Sequence, residues 1–414
     1  MAQIAHRGAT ATDRAYQPTQ GGVGSSHILV LSAHEGSVDR RIVGECNALA
    51  DSGRRVTLLS LPAELDRATL DKRVRVRMPP VTGATSGVVG LYKKLPRRVK
   101  RLRRDMEYLV RPGVLPRCTA PLVEIAADLD ADAVHCHDAE TLPAAVRIAN
   151  GQLPIIYDSH ELAPDLEPDP VFHAYWERLE REHLRKTAAV ITVNLGVARA
   201  MADRYGIPEP DIVLNGCDTR GSIEVEPTIF EQRFGLSAER RFRVIYCGSL
   251  RTDRNLLPLV RAAALVPEID LLLLGDGPAS DKIRALAPAN AHVSDPVPQH
   301  ELIGTLRHAD VGVIPYTPER CLNHKLCTPN KLYEYLEAGL AVVSHRLPEV
   351  ERIVDVHGRG FSADLDSPQK IARALREASE LYTISSLDAP ASLDPIRWPA
   401  QAKRLIDVYE RLGL

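Results

Sequence analysis

The chain has 414 residues, 44% hydrophobic and 26% charged, with 52 Lys and Arg against 54 Asp and Glu for a net charge of −2. That length suits two globular domains, and a near-neutral chain with only 5% aromatic residues lacks both the field and the stacking platforms of a nucleic-acid binder. No apolar run reaches the ~18 residues of a membrane span, and seven cysteines with no C-x-x-C pair fit a reducing, cytoplasmic location without a zinc cage.

Residues 1–25, rich in Ala, Gly, Thr and Gln and lacking a signal peptide's apolar core, are expected to form a disordered tail. Short apolar runs then alternate with helical periods, the pattern of a parallel α/β sheet. Strands are expected at HILVLS (27–32), RVTLLS, DAVHC, PIIYD, AVITVN and IVLNGCD (212–218), with a helix through VGECNALADSG that Gly53 ends. In LYKKLPRRVKRLRRDMEYL (91–109), Leu91, Leu95, Val99, Leu102, Met106 and Leu109 recur at three- and four-residue spacing, with eight Lys or Arg on the other faces. Interrupted at Pro96, this basic amphipathic helix has two readings: docking on an anionic membrane surface or acceptor, or an ordinary domain helix with a solvated face. A less regular stretch, 219–240, bridges to a second half with strands at 242–247, 270–274, 311–315 and 341–344. The pattern weakens after Pro368, and a last helix runs from Trp398 to Leu412. The simplest architecture is α/β: two doubly wound domains, 26–215 and 216–397, facing a cleft where ligands meet the carboxyl ends of strands.

The most informative segment is TPNKLYEYLEAG (328–339). Thr328 suits an N-cap, Pro329 the first helical position and Gly339 the C-terminal cap, so a short helix is expected between two strands. Its N-terminus favours a diphosphate, Lys331 adds a cation, and Glu334 one turn on suits ribose hydroxyls. In CGSLRTDRN (247–255), Gly248 permits close backbone approach, and Ser249 and Arg254 are candidate phosphate contacts. The bland alternative there is a surface loop with solvated arginines. LLLLGDGPAS lacks the third glycine of a dinucleotide fingerprint, so Gly275 and Gly277 are read as a turn and Asp276 as a helix cap. In VHCHDAETLPAA (134–145), His137 is a candidate for bonding a sugar hydroxyl or a reacting oxygen, and Asp138 is either a cleft residue or a plain N-cap. His135 and His137 alternate along the strand and are expected on opposite faces, unable to share one ion. In IIYDSHEL (155–162), Asp158, His160 and Glu161 are candidates to line the same cleft.

Together, PNKLYEYLEAGLAVVS, VHCHDAETLPAA with YDSHEL, VITVNLGVARAMADRYG…IVLNGCD, CGSLRTDRN and DRRIVGECNALADSGRRVTLLS resemble the retaining GT-B glycosyltransferases of family four, over most of residues 27–412. The resemblance implies two Rossmann-like domains, with helix 398–414 crossing back onto the first. It implies transfer of a sugar from a nucleoside diphosphate donor (UDP or GDP) to a hydroxyl acceptor, with retention and with neither metal nor cofactor. By position, Glu334 matches the ribose-binding second glutamate of E-x7-E, Arg254 the diphosphate-binding lysine, and Ser249 a frequent arginine. Gly36 falls in the first βα loop near the donor, and His137 matches the histidine at the sugar end, often assigned a catalytic role. Arg254 and Lys331 would stabilise the departing diphosphate in a same-face displacement. The first glutamate of E-x7-E is absent: Leu326 stands there, so either Asn323, His324 or a backbone N–H meets the sugar, or the donor lacks the usual hydroxyl pattern. The basic helix hints at a lipid-linked or anionic acceptor at the inner face of the cell membrane. Polysaccharide, glycolipid or glycoside biosynthesis is the expected setting. An epimerase or phosphorylase of the same architecture, and a non-catalytic partner subunit, are the alternatives.

Overall fold

The computed structural model describes residues 26–33, 36–80, 119–236, 240–382 and 390–414. The expected tail and the basic helix at 91–109 lie outside them. The first half runs β1 (His27–Ser32), β2 (Gly36–Ser37), α1 (Arg40–Asp51), β3 (Arg55–Ser60), β4 (Ala63–Glu64), β5 (Arg75–Arg77), α2 (Ala120–Ala126), β6 (Ala133–His137), α3 (Asp138–Ala149), β7 (Ile155–Ser159), α4 (Pro170–His183), β8 (Ala189–Thr192), α5 (Leu195–Tyr205) and β9 (Asp211–Ile212). The second runs α6 (Pro227–Phe234), β10 (Phe242–Cys247), α7 (Leu256–Ala263), β11 (Ile269–Leu274), α8 (Ser280–Leu286), β12 (Ala291–Ser294), α9 (Gln299–Leu306), β13 (Val311–Ile314), α10 (Leu322–Leu326), α11 (Asn330–Glu337), β14 (Ala341–His345), α12 (Pro348–His357), β15 (Gly360–Ala363) and α13 (Pro368–Leu381), before the final helix α14 (Trp398–Arg411).

Each half is built on a parallel sheet, ordered β5-β3-β1-β6-β7-β8-β9 and β12-β11-β10-β13-β14-β15. Winding reverses between β1 and β6 in the first and between β10 and β13 in the second, and it is at such reversals that doubly wound sheets leave a crevice. The central strands are buried on both faces, which is why HILVLS, FRVIYC and IDLLLL read as continuous apolar runs.

Five strands escaped the sequence reading: β5, β12, β15 and the two-residue β2 and β4, which pair with each other. The first three sit at sheet edges, where one side is solvated and RVR, AHVS and GFSA carry no apolar run. The strand expected at 212–218 shrinks to Asp211–Ile212. Beyond it the Val213 N–H still donates to the Thr192 carbonyl of β8, and side chains then take over. The Val213 carbonyl accepts from Arg41, and the Leu214 N–H donates to Gln401 Oε1. The chain crosses to the second domain here.

It crosses back just before α14, which lies on α1 and adds Trp398, Leu405, Val408 and Tyr409 to the first sheet's core. The two crossings touch: a Cβ on Gly216 would sit 2.8 Å from the Ile396 carbonyl oxygen and 2.9 Å from the Trp398 nitrogen, so only glycine fits.

Candidate active site

Strand β10 ends at Cys247, and Gly248 turns the chain with φ +116, a conformation side chains disfavour. A Cβ there would lie 3.4 Å from Lys331 Nζ, so backbone and ammonium share one space. Gly248 and Ser249 from this turn, Asp276 after β11, and Asn330, Lys331 and Glu334 from α11 line a cavity of about 440 Å³. Asp276 therefore faces the cavity and is not a cap; the N-cap position of α8 belongs to Ala279.

Helix α11 starts at Asn330, with Pro329 at the N-cap position, so Thr328 does not cap it. Thr328 is buried instead at the seam between domains, where Asn194 Nδ2 donates to its hydroxyl. Lys331 and Glu334, on successive turns of α11, are both buried. Lys331 donates to the Tyr316 hydroxyl and lies 4.9 and 5.0 Å from the ring centres of Tyr316 and Tyr246. Arg254, closing a 3₁₀ turn, places its guanidinium 4.5 Å from the centre of the same Tyr316 ring and its Nη1 3.3 Å from His324 Nε2. Tyr316 thus holds both candidate diphosphate cations. Sequence reasoning passed over it, although a tyrosine directly after the buried run VGVIP stands at the carboxyl end of a strand. Arg254 is not among the residues lining the cavity; Tyr316 connects it to Lys331.

The first domain contributes a buried polar network. Arg41 grips Asp158 with two bonds, at 2.7 and 3.0 Å, and lies 3.1 Å from Glu45. The expectation that His135 and His137 face apart is wrong: residues two apart on a strand share a face, and the rings stack at 4.5 Å. His135 Nδ1 lies 2.7 Å from the Tyr409 hydroxyl of α14, and His137 Nδ1 lies 3.0 Å from His160 Nε2 and 3.3 Å from Asp158.

Burial lowers the pKa of both His135 and His137, keeping them neutral. Burial, reinforced by Asp158, pushes the Glu45 carboxyl well up. Against the cost of burial, Arg41 and His160 hold Asp158 well below the usual carboxylate range. Asp138 and Asp158 raise His160 to about 10, overcoming its own desolvation. Ligand-type atoms of Glu45, His135, His137 and Asp158 all lie within 4.8 Å of one another. The Arg41 guanidinium already presses on both carboxylates, supplying the positive charge an ion would bring.

His137 is 1% exposed and does not line the cavity. Asp138 has φ +61, and His137 takes the N-cap position of α3 without a side-chain bond. The Asp138 carboxylate instead accepts from the His160 N–H at 3.2 Å. Gly36 pairs with Ala63 in the short β2–β4 ladder.

The domains meet across the cleft through side chains. Arg40, at the start of α1, donates to Glu334 Oε1 at 2.6 Å, while the Cys247 thiol donates to Oε2 at 3.4 Å. Asn323 Oδ1 accepts from the Leu162 N–H at 3.0 Å, and its Nδ2 donates to Glu161 Oε2 at 3.3 Å. Burial raises the Glu161 carboxyl to about 7, with Asp138 adding to the effect.

A family model described as a glycosyl transferase 4-like domain matches residues 36–217, and one described as glycosyl transferases group 1 matches residues 241–380. Among solved structures, sucrose-phosphate synthase from Thermosynechococcus elongatus superposes with a TM-score of 0.70 at 14% identity, covering 94% of this chain and 99% of that one. HepE from Anabaena, solved with UDP and glucose, gives 0.65 at 15% identity, over 93% of this chain and 100% of that one. The catalytic domain of Starch Synthase IV from Arabidopsis thaliana, bound to ADP and acarbose, gives 0.63 at 13% identity, over 94% and 99%. Identities this low speak for the fold alone. No curated protein sequence gives a significant match.

Proposed function

We propose that this chain, which belongs to the GT-B glycosyltransferases, transfers a sugar from a nucleoside diphosphate donor to a hydroxyl acceptor with retention of anomeric configuration. One observation carries the reading: Lys331 and Glu334, a turn apart on α11, open with Gly248 onto a single cavity of about 440 Å³ beside the winding reversal of the second sheet. That volume lies within the usual range for small-ligand sites, roughly 300–1,000 Å³. The neighbours solved with UDP or ADP support a nucleoside diphosphate as the donor's leaving group.

In this reading the diphosphate lies against Gly248, Ser249 and the N-terminus of α11, with the ribose on Glu334. Lys331 and Arg254, both steadied by Tyr316, stabilise the charge that develops as the glycosidic bond breaks, the kind of preorganised charge that dominates many enzymes' rates. The leaving phosphate takes the acceptor's proton on the face it departs from, so no carboxylate nucleophile is required. The chain's own cations do the work elsewhere given to a metal. Enclosed His137 orients His160 and so acts as a positioning residue. The acceptor belongs to polysaccharide, glycolipid or glycoside assembly, and a cytoplasmic setting with docking through 91–109 suits a lipid-linked one. No helix among the described residues is long and apolar enough to cross a membrane.

The test is a panel of UDP-, GDP- and ADP-sugars scored by thermal shift, followed by NMR of the product's anomeric proton. A ligand at about 100 times its dissociation constant adds roughly 2.7 kcal/mol of stability. Stabilisation by a sugar nucleotide and a product of unchanged configuration are expected. An inverted product, or an isomerised donor without any new glycoside, overturns the proposal.

A further inference from the structure

Two consecutive arginines at the start of α1 serve different domains. Arg41 turns into the first, onto Asp158 and the Val213 carbonyl. Arg40 turns across the cleft and bonds Glu334 of the second. Successive helical residues are rotated by about 100°, so one turn of α1 reaches both sides. The residue before them adds a second crossing. Asp39, which caps α1 through the Arg41 N–H, accepts from Asn330 Nδ2 at 3.5 Å. Asp39 and Arg40 thus meet Asn330 and Glu334, which stand one turn apart at the start of α11. Asn330 and Glu334 both line the cavity of about 440 Å³. At this point the first domain touches the wall of the nucleotide site.

Arg40 has donors to spare there. A guanidinium carries five N–H groups and no acceptor. One goes to Glu334 Oε1 at 2.6 Å, and a second meets the Cys217 sulfur in the linker. The Arg40 side chain is still 13% exposed, and the carboxylate beside it opens onto the cavity. The pairing has a chemical meaning, because a hydroxyl both donates and accepts. A carboxylate only accepts, so Glu334 alone reads a ribose hydroxyl by its proton. A guanidinium next to that carboxylate reads the oxygen as well, and both bonds are of the stronger, charge-assisted kind.

We infer that Arg40, from the first domain, is a nucleotide-binding residue: it donates to the ribose hydroxyl whose proton Glu334 accepts, and the two together select a ribonucleoside diphosphate over its deoxy counterpart. This rests on the transferase reading above and adds to it a contact from the opposite domain. Because Arg40 and Glu334 come from opposite sides of the cleft, the ribose is read in full only while the cleft is closed.

The experiment uses the full chain and calorimetry. UDP, GDP and ADP identify the nucleotide that the wild type binds. Its 2′-deoxy and 3′-deoxy forms are then titrated into wild type, Arg40→Ala and Arg40→Met, the last keeping an apolar stem should alanine fail to fold. In wild type, loss of the hydroxyl that both residues read should weaken binding by about 100-fold or more. Each variant should bind the ribonucleotide roughly tenfold more weakly, yet bind that deoxy form within about threefold of wild type, so the preference shrinks about tenfold. Equal weakening toward the ribonucleotide and both deoxy forms would overturn the inference, since it marks Arg40 as a strut between domains. Tighter binding of the ribonucleotide by the variants would overturn it too, since it marks Arg40 as a competitor for Glu334. A wild type that binds the nucleotide but treats all three forms alike removes the ribose from Glu334 and this assignment with it. If the wild type binds none of the three nucleotides, the transferase reading falls first.

Discussion

Replacing Glu334 by Gln separates two jobs that the structure gives one carboxylate. An ionised carboxylate offers about four acceptor directions. Arg40 takes one on Oε1 at 2.6 Å, and Cys247 takes one on Oε2 at 3.4 Å, which leaves a direction on each oxygen for the two ribose hydroxyls. The amide keeps the shape and one accepting oxygen but loses the charge and the second acceptor. Hydrogen bonds to a charged group contribute about 1.5–3 kcal/mol, so the dissociation constant of the bound nucleoside diphosphate should rise roughly 10- to 100-fold. Stability should fall as well, because Arg40 is left facing a neutral partner with its side chain only 13% exposed. Breaking buried pairs costs about 3–5 kcal/mol, an upper bound for an isosteric change. Calorimetry reads the first effect and urea unfolding the second. A variant that loses stability while binding the nucleotide as tightly as wild type would refute the ribose assignment and leave Glu334 as a tie between domains.

Arg254→Ala should lower turnover by roughly 10²–10³ without unfolding the chain, and a change within about threefold would end its phosphate role. Tyr316→Phe removes the hydroxyl that Lys331 donates to but keeps the ring beneath Arg254, so turnover should drop about tenfold, whereas Tyr316→Ala should do worse; equal kinetics in the two variants would show that the hydroxyl alone matters. The contribution of Glu180 to stability should decline as pH rises from 5 to 8. Burial lifts the Glu180 carboxyl, bonded by Tyr157 and Tyr205, from 4.5 to about 7, so the folded state keeps a proton that the unfolded chain releases. That contribution is full below the unfolded value and is lost as pH climbs through the folded one; at about 1.4 kcal/mol per pKa unit it is on the order of 3 kcal/mol. Urea midpoints of Glu180→Gln should vary less over this range than those of wild type, and parallel pH slopes would remove Glu180 as the cause.

Much of the second domain could be read from residues alone because its strands are doubly buried, so FRVIYC and IDLLLL appear as unbroken apolar runs. The edges could not: RVR at β5 and GFSA at β15 are only partly buried and carry no such run. For the same reason the placement of Lys331 and Glu334 was legible, since one helical turn sets it. Arg40 was not, because 294 positions separate it from the carboxylate it meets and only domain closure brings them together. The role of Tyr316 depends on two cations from distant turns. The His135–His137 pair failed differently: the spacing was plain, but a period of two returns a side chain to the same face. The Arg41–Asp158 grip, made between α1 and β7, has no signature in either local motif.

Because one segment leaves the first domain at Val213–Asp218 and another re-enters beside it ahead of Trp398, the halves are sewn together by two adjacent threads. Such a seam resists sliding and splaying and leaves a pivot about the line of the stitches as the easy motion. It also means that a cut made in the linker near residue 219 cannot yield a self-sufficient first half. That fragment would lack the Tyr409 partner of His135 and the Trp398 side chain, which only the last helix supplies. Co-expression of the two pieces, rather than either piece alone, is the arrangement that restores its core.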